Sequence, residues 1–235
     1  MKLRSAWIKN ICLIMFGLVL LTSGLQAAEA SPVVIVPMQL QQGSLVSVRI
    51  PQFDGGMPGE AMAMFNERYR QVVLQRLREF EPIAYETRLM PQLPAAVKNA
   101  LMFMAEYEVF RSDATIVSLT QKVYQFSGGA HGMTWQTGHT IDIVNAKQLL
   151  LPELFAAGSD YAERLNRFVR EQGAARNLPM WEFKGVGVKS AFYLNEDGVV
   201  LFFQPYEVAP YSEGVVHMLI PYRLLADILR PEILR

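Results

Sequence analysis

Residues 101–143 decide the fold, and they read LMFMAEYEVFRSDATIVSLTQKVYQFSGGAHGMTWQTGHTIDI. This segment contains three β-rich runs, at 103–110, 115–126 and 134–143, separated only by a short polar turn and by a glycine-rich turn. Connections this short join antiparallel neighbours, because a parallel pair needs a crossover of a dozen or more residues. The segment therefore predicts an antiparallel meander at the centre of the fold.

Shorter strands and amphipathic helices flank this meander. Apolar side chains recur at roughly helical spacing over residues 60–80, and Pro82 then interrupts the pattern. A second helix is expected from a cap at Ser159 and Asp160 to a stop at Gly173. The remaining expected elements are strands at 33–36, 45–50, 192–194, 199–204 and 215–220, and a short helix opening at Pro221 and running through Leu229.

This order of elements predicts an α+β fold in which antiparallel sheets pack against amphipathic helices. We expect two short, intimately packed subdomains: an N-terminal α+β subdomain at 31–126 and a C-terminal one at 127–235, after a leader at 1–30. The composition is 51% hydrophobic and 19% charged, which is typical of a globular chain. Folding therefore needs no partner.

The leader has the features of a secretory signal peptide. Three basic residues precede an apolar run at 11–21, and Ala28 and Ala30 supply the small residues that a signal peptidase recognises. The apolar run is shorter than the ~20 residues of a spanning helix. This favours cleavage after Ala30, and a periplasmic or secreted protein, over the alternative of an uncleaved N-terminal membrane anchor.

Composition excludes several classes of function. The only cysteine, Cys12, lies in the leader, so the mature chain would have no disulfide, thiolate metal site or cysteine nucleophile. Lys and Arg total 22, as do Asp and Glu. A nucleic-acid-binding protein usually needs a basic face, so this balance argues against that partner.

The first unusual motif is FSGGAHG at 126–132, which places Ser127, Gly128, Gly129 and His131 between two strands. Adjacent glycines allow positive φ or a close approach of the backbone to a ligand. Two interpretations stay open: an exposed ligand-binding loop, or a tight turn with a purely structural role.

The second unusual motif is QPYEVAPYSEG at 204–214, which follows a strongly apolar strand. Tyr206, Pro210 and Tyr211 make a rigid loop with flat amphipathic side chains, a chemistry that protein and sugar interfaces favour. The alternative is that the tyrosines pack back onto the core.

No catalytic or metal motif is present in the sequence. His131, His139 and His217 are the only histidines, and they lack a metal-ligand spacing. No Gly-x-Ser-x-Gly nucleophile elbow occurs. We expect no cofactor, no metal and no enzymatic activity; the rival hypothesis is a cell-wall-active hydrolase or deacetylase-type enzyme with His131 as general base, assisted by Glu207 or Glu213.

Taken together, the two motifs resemble a known family. Residues 48–53 with Asn66, residues 127–131 with 149–155, and residues 192–214 resemble an exported domain of unknown function. That family occurs in the extracellular, lysozyme-binding region of the anti-sigma factor RsiV and in the N-terminal region of the peptidoglycan deacetylase PdaC. The resemblance implies an exported, two-part α+β domain of the cell envelope. It does not imply one activity, so neither signalling nor deacetylation is carried over to this chain.

We therefore expect an exported, non-catalytic binding module of the cell envelope. Its ligand would be a lysozyme-like protein or a cell-wall glycan such as peptidoglycan, contacted by Ser127, Gly128, Gly129, His131, Tyr206, Pro210 and Tyr211. An envelope structural or assembly factor is a further alternative. No nucleic-acid partner and no membrane span after signal cleavage are expected.

Overall fold

A computed structural model describes residues 33–181 and 183–234 of the 235-residue chain. The fold is α+β, as predicted, with one six-stranded and one three-stranded sheet. The helices are α1 (Gly59–Leu89), α2 (Ala95–Ala100) and α3 (Tyr161–Ala175). The strands of the first sheet are β1 (Ile35–Gln42), β2 (Val46–Phe53), β3 (Met102–Ser112), β4 (Ile116–Phe126), β5 (Met133–Asp142) and β6 (Lys147–Gln148).

The first sheet contains the predicted meander. Its strands follow chain order from β1 to β6, and β3, β4 and β5 pair antiparallel through short turns. Only β2 and β3 run parallel, and α1 and α2 form the long crossover between them. The sheet continues to Gln148, beyond residue 127, where a subdomain boundary was expected; that boundary stays a prediction.

Helix α1 packs its apolar stripe on one face of this sheet. The stripe consists of residues three or four positions apart: Phe65, Tyr69, Val73, Leu77, Phe80, Ala84 and Thr87. The predicted end near residue 80 was wrong, because the helix passes through Pro82 and ends at Leu89. Proline removes one helical hydrogen bond. Burial of Ala84 and Thr87 beyond it continues the packing, while Pro82 itself is exposed.

The second sheet carries its own hydrophobic core. It consists of β7 (Phe192–Leu194), β8 (Gly198–Phe203) and β9 (Val216–Pro221), all antiparallel, and α3 packs against it. The predicted hairpin turn is confirmed, because Asn195 Oδ1 accepts hydrogen bonds from the amides of Asp197 and Gly198 at 3.1 and 2.9 Å.

Two details of the second half differ from expectation. Gly173 does not stop α3; it is buried within the helix, and its missing side chain leaves room for Met180, whose Sδ would lie 2.7 Å from a Cβ there. The helix expected from Pro221 through Leu229 is also absent from the described chain. Pro221 ends β9, and only a 3-10 turn follows at Tyr222–Leu224.

The two sheets pack face to face on the side of the first sheet opposite α1. A Cβ at Gly138 of β5 would overlap the carbonyl oxygen of Phe192, so only glycine allows this approach. Ser118 Oγ accepts a hydrogen bond from the Leu194 amide at 2.8 Å and pairs with Thr140 Oγ1 at 2.8 Å. These contacts fix the position of the second sheet over β4 and β5.

The predicted leader at 1–30, with Ala28 and Ala30, lies outside the described residues. Within residues 33–181 and 183–234, no helix combines the length and the apolar character that a bilayer crossing requires.

Candidate ligand-binding site

The structure brings the two unusual motifs together. The rings of His131 and Tyr211 stack, with centroids 3.9 Å apart and an interplanar angle of 24°. The Tyr206 hydroxyl lies 3.3 Å from His131 Nε2, although 75 residues separate them in the chain. The centroids of Tyr206 and Tyr211 are 5.8 Å apart. We call these three residues the aromatic cluster.

The start of the glycine-rich loop is attached to the end of α1. Thr87 Oγ1 donates a hydrogen bond to the Ser127 carbonyl at 3.1 Å. Gly128 has a φ of 98°, and a Cβ there would lie 2.7 Å from Thr87 Cγ2. Ser127 and Gly128 therefore hold the loop against α1. Gly129 has open space around it, and His131 is exposed.

The second loop holds Tyr206 in a strained backbone conformation. Its φ of 72° lies in the left-handed region, which costs a residue with a side chain about 1–3 kcal/mol. The Glu207 amide donates to the Gln204 carbonyl at 3.0 Å, the pattern of a type II turn with Tyr206 at the position that favours glycine. Even so, the Tyr206 side chain is 48% exposed, so core packing does not explain the conformation.

A glutamine clamp fastens this loop to the first sheet. Gln204 Oε1 accepts from the Gln136 amide at 3.0 Å, and Gln204 Nε2 donates to the Gln136 carbonyl at 2.8 Å. This side chain occupies the free edge of β5 as a neighbouring strand would. The clamp holds the loop at 204–214, the tyrosine loop, next to the loop at 126–132, the glycine-rich loop. The clamp was not predicted, because nothing in the local sequence distinguishes Gln204 from other polar residues.

The rest of the tyrosine loop is anchored by its own residues. Val208 and Ala209 are buried in the second core. Pro210 is exposed and precedes the 3-10 turn Tyr211–Glu213, whose Glu213 amide donates to the Pro210 carbonyl at 3.0 Å. Pro210 therefore orients Tyr211 and does not itself join the aromatic cluster.

A groove of about 460 Å³ adjoins the aromatic cluster. Its floor lies on the face of the first sheet opposite α1, where the second sheet leaves that face uncovered. Its walls come from the tyrosine loop and β9. The lining residues are Met104, Glu106, Lys122, Tyr124, Thr134, Pro205, Tyr211, Ser212, Gly214, Val215 and His217.

His217 supplies a neutral imidazole in the wall of the groove. Burial lowers its pKa, and the nearby charges of Lys122 and Arg176 lower it further. Its Nδ1 lies 3.3 Å from the Tyr193 hydroxyl. At neutral pH this ring can therefore exchange hydrogen bonds with a ligand without adding charge.

The contacts of His131 bear on the rival enzymatic hypothesis. Its Nδ1 lies 2.8 Å from the Gly132 carbonyl, and its Nε2 faces the Tyr206 hydroxyl. The carboxylate of Glu207 accepts from the Gln204 amide at 2.8 Å. Within the described part of the chain, no three His, Cys, Asp or Glu residues are grouped as metal ligands would be.

Comparison with known proteins gives two family matches, one containing each loop. Residues 41–134 match the family described as deacetylase PdaC, and residues 152–223 match the family described as protein of unknown function (DUF3298). The peptidoglycan-N-acetylmuramic acid deacetylase PdaC of Bacillus subtilis (strain 168) is 25% identical over 196 residues. The aligned region covers 79% of this chain but 39% of that relative, so the chain spans about two fifths of its length.

Two solved structures share the fold. A DUF3298 family member from Bacteroides fragilis matches with a TM-score of 0.66 at 16% identity, over 88% of this chain and 97% of that one. A DUF3298 family protein from Pseudomonas aeruginosa PAO1 matches with a TM-score of 0.57 at 19% identity, over 86% and 95%. At these identities the likeness is one of fold. The predicted link to the lysozyme-binding region of RsiV stays a prediction.

Proposed function

The chain belongs to the DUF3298/PdaC-related family, and on that premise we propose that it is a non-catalytic binding module of the cell envelope. Its ligand is a cell-wall glycan, held by the aromatic cluster and the adjoining groove. The proposed envelope location is supported by the peptidoglycan substrate in the name of the PdaC relative, and it agrees with the predicted signal peptide. The module would bind its ligand without altering it chemically.

The observation that carries this proposal is the joining of an exposed aromatic surface to a polar groove. Tyrosine rings offer an apolar face for the C–H surface of a sugar ring and a hydroxyl for its polar edge. The groove adds donors and acceptors from Ser212, Thr134 and His217. Carbohydrates present both surfaces at once, so this combination suits them.

Backbone strain at Tyr206 supports a functional role for the same surface. A strained residue persists only where the surrounding structure holds it, and such residues concentrate at ligand sites. Here the Gln204 clamp holds the loop, and the strained side chain points to His131 rather than to the core. A purely structural turn would place glycine or asparagine at this position without loss.

The shape of the site favours a glycan over a lysozyme-like protein. Binding pockets for small molecules typically enclose about 300–1,000 Å³, and the groove falls in this range. A stable protein interface instead needs about 800 Å² of surface from each partner. The glycan is therefore the ligand that we propose, and a lysozyme-like protein is the alternative outcome of the test.

The test is a pull-down of the purified protein with insoluble peptidoglycan and, in parallel, with lysozyme. We expect retention on peptidoglycan without release of soluble glycan, and at least tenfold weaker retention for the double variant Tyr206→Ala and Tyr211→Ala. The matched control is Tyr85→Ala, which removes a tyrosine that is 66% exposed on α1, on the other side of the sheet.

Each other outcome would contradict the proposal in a defined way. Retention by lysozyme and not by peptidoglycan would show that the ligand is a protein and not a glycan. Glycan release that His131→Ala abolishes would establish the enzymatic hypothesis. Equal retention of the double variant and the Tyr85→Ala control would show that the aromatic cluster is not part of the binding site.

A further inference from the structure

The floor of the groove carries two opposite charges that do not pair with each other. Glu106 of β3 and Lys122 of β4 are directly opposite in the strand register, and both line the groove. Opposite charges in this position usually attract each other across the strands. Among the ion pairs and hydrogen bonds of the described residues, however, neither side chain takes part in one, so both are available to a ligand.

The charged region extends away from the aromatic cluster. A second pocket of about 220 Å³ shares Glu106 and Lys122 with the groove and adds Glu108, Thr120 and Tyr107. From Tyr124 to Thr120, β4 advances four residues, or about 13 Å at the usual rise of a strand. The site thus has an aromatic end at Tyr124 and Tyr211 and a charged end at Glu106, Glu108 and Lys122.

Neither His217 nor Arg176 takes the place of Lys122 as the cation at the charged end. His217 lies near Lys122, but its lowered pKa keeps the ring neutral, so it neither neutralises Glu106 nor repels a cationic ligand. Arg176 donates to the His217 carbonyl at 2.8 Å and is thereby held at β9. Lys122 is therefore the cation on the floor of the groove, facing the carboxylates of Glu106 and Glu108 on the neighbouring strand.

We propose that the groove distinguishes glycans by a charged substituent and prefers a sugar that bears an amino acid or short peptide. This inference rests on the proposed glycan-binding function. The sugar lies at the aromatic end, the substituent's carboxylate contacts Lys122, and its ammonium group contacts Glu106 and Glu108. A neutral oligosaccharide fills only the aromatic end.

The expected effect follows from the solvent-exposed ion pairs that the substituent forms. Such a pair contributes about 0.2–1 kcal/mol, so two of them correspond to roughly twofold to thirtyfold in affinity. The peptide-bearing ligand should therefore bind severalfold more tightly than the same sugar without its peptide. Because the charged end is open to solvent, this advantage should shrink as salt rises from 0.01 to 0.15 M.

Isothermal titration calorimetry on the purified protein tests this with two probes: a muramyl disaccharide-peptide and the matching peptide-free disaccharide. We expect Lys122→Met and Glu106→Gln each to abolish the advantage of the peptide-bearing probe, so that the variant binds the two probes equally. Lys122→Arg should restore most of the advantage. Tyr211→Ala should weaken both probes, and Lys98→Met, on α2, should change neither.

The results separate this inference from the function on which it rests. Equal binding of the two probes, or a preference for the peptide-bearing probe that survives Lys122→Met, would overturn the charge-selective groove and leave glycan binding in place. Binding of neither probe would overturn both. Circular dichroism of each variant identifies any loss of affinity that comes from unfolding.

Discussion

Burial of His139 predicts that the protein loses stability in mild acid. His139 lies in β5 between the sheet and α1, with 6% of its surface exposed. Its ring contacts the Tyr69 ring edge-on, at a centroid distance of 4.7 Å, and its Nε2 lies 3.1 Å from Thr137 Oγ1. Burial lowers the pKa of His139 to about 4, and the charge of Arg68 acts in the same direction.

The size of the effect follows from proton linkage. An unfolded chain binds a proton at His139 near pH 6.5, whereas the folded chain binds it only near pH 4. Between these values the unfolded state holds more protons, so stability is fully present above pH 6.5 and is lost as the pH falls towards 4. At about 1.4 kcal/mol per pH unit, His139 alone should lower the free energy of unfolding by about 3 kcal/mol.

Urea unfolding from pH 7.5 to pH 4 measures this effect in wild type and His139→Gln. Carboxylates also lose stabilising contacts in acid, but they do so equally in both proteins, so the difference between the two isolates His139. We expect that difference to change by about 3 kcal/mol across the range. The matched control is His131→Gln, which removes an exposed imidazole in place of the buried one.

A pH-independent difference between wild type and His139→Gln would refute this reasoning. If the variant does not fold, NMR titration of the wild-type imidazole gives the same answer directly. A His139 that protonates near pH 6.5 in the folded protein would mean that water reaches the ring, and the argument from burial would fail.

Three further predictions concern the junction of the sheets, the strained turn and the leader. Gly138→Ala should lower the free energy of unfolding by about 3 kcal/mol, because the methyl group meets the Phe192 carbonyl, while Gly187→Ala, with open space around it, should change it by less than about 0.5 kcal/mol in urea unfolding. Tyr206→Asn should be about 0.5–1 kcal/mol more stable than Tyr206→Ala, because both variants lose the contact to His131 but asparagine adopts the left-handed region more readily, and both should weaken retention on peptidoglycan; equal stability of the two variants would show that the strain is absent. Mass spectrometry of the exported protein should find Ser31 at the N-terminus, whereas an intact leader in the membrane fraction would favour the uncleaved anchor.

Local signals in the sequence predicted the central elements of the fold well. The three strands at the centre and the hairpin at Asn195 follow from β-rich runs and turn residues that act within a few positions. The same signals failed at Pro82 and Gly173. Beyond Pro82 the helix is held by packing that includes Thr87 against Ser127, 40 residues away, and at Gly173 the chain folds back so that Met180 packs on the helix. In both places this packing outweighed the local preference.

The candidate site likewise has parts that the sequence predicted and parts that only the tertiary structure decided. The sequence alone identified both loops, because clustered glycines, prolines and tyrosines are unusual wherever they stand, and it determined the α+β class through the periodicity of its apolar residues. Only the tertiary structure decided that His131 meets Tyr206 and Tyr211, and that Glu106 and Lys122 form the floor of the adjoining groove. The physical reason is that strand register and sheet packing, rather than any local preference, set distances between residues that lie far apart in the chain.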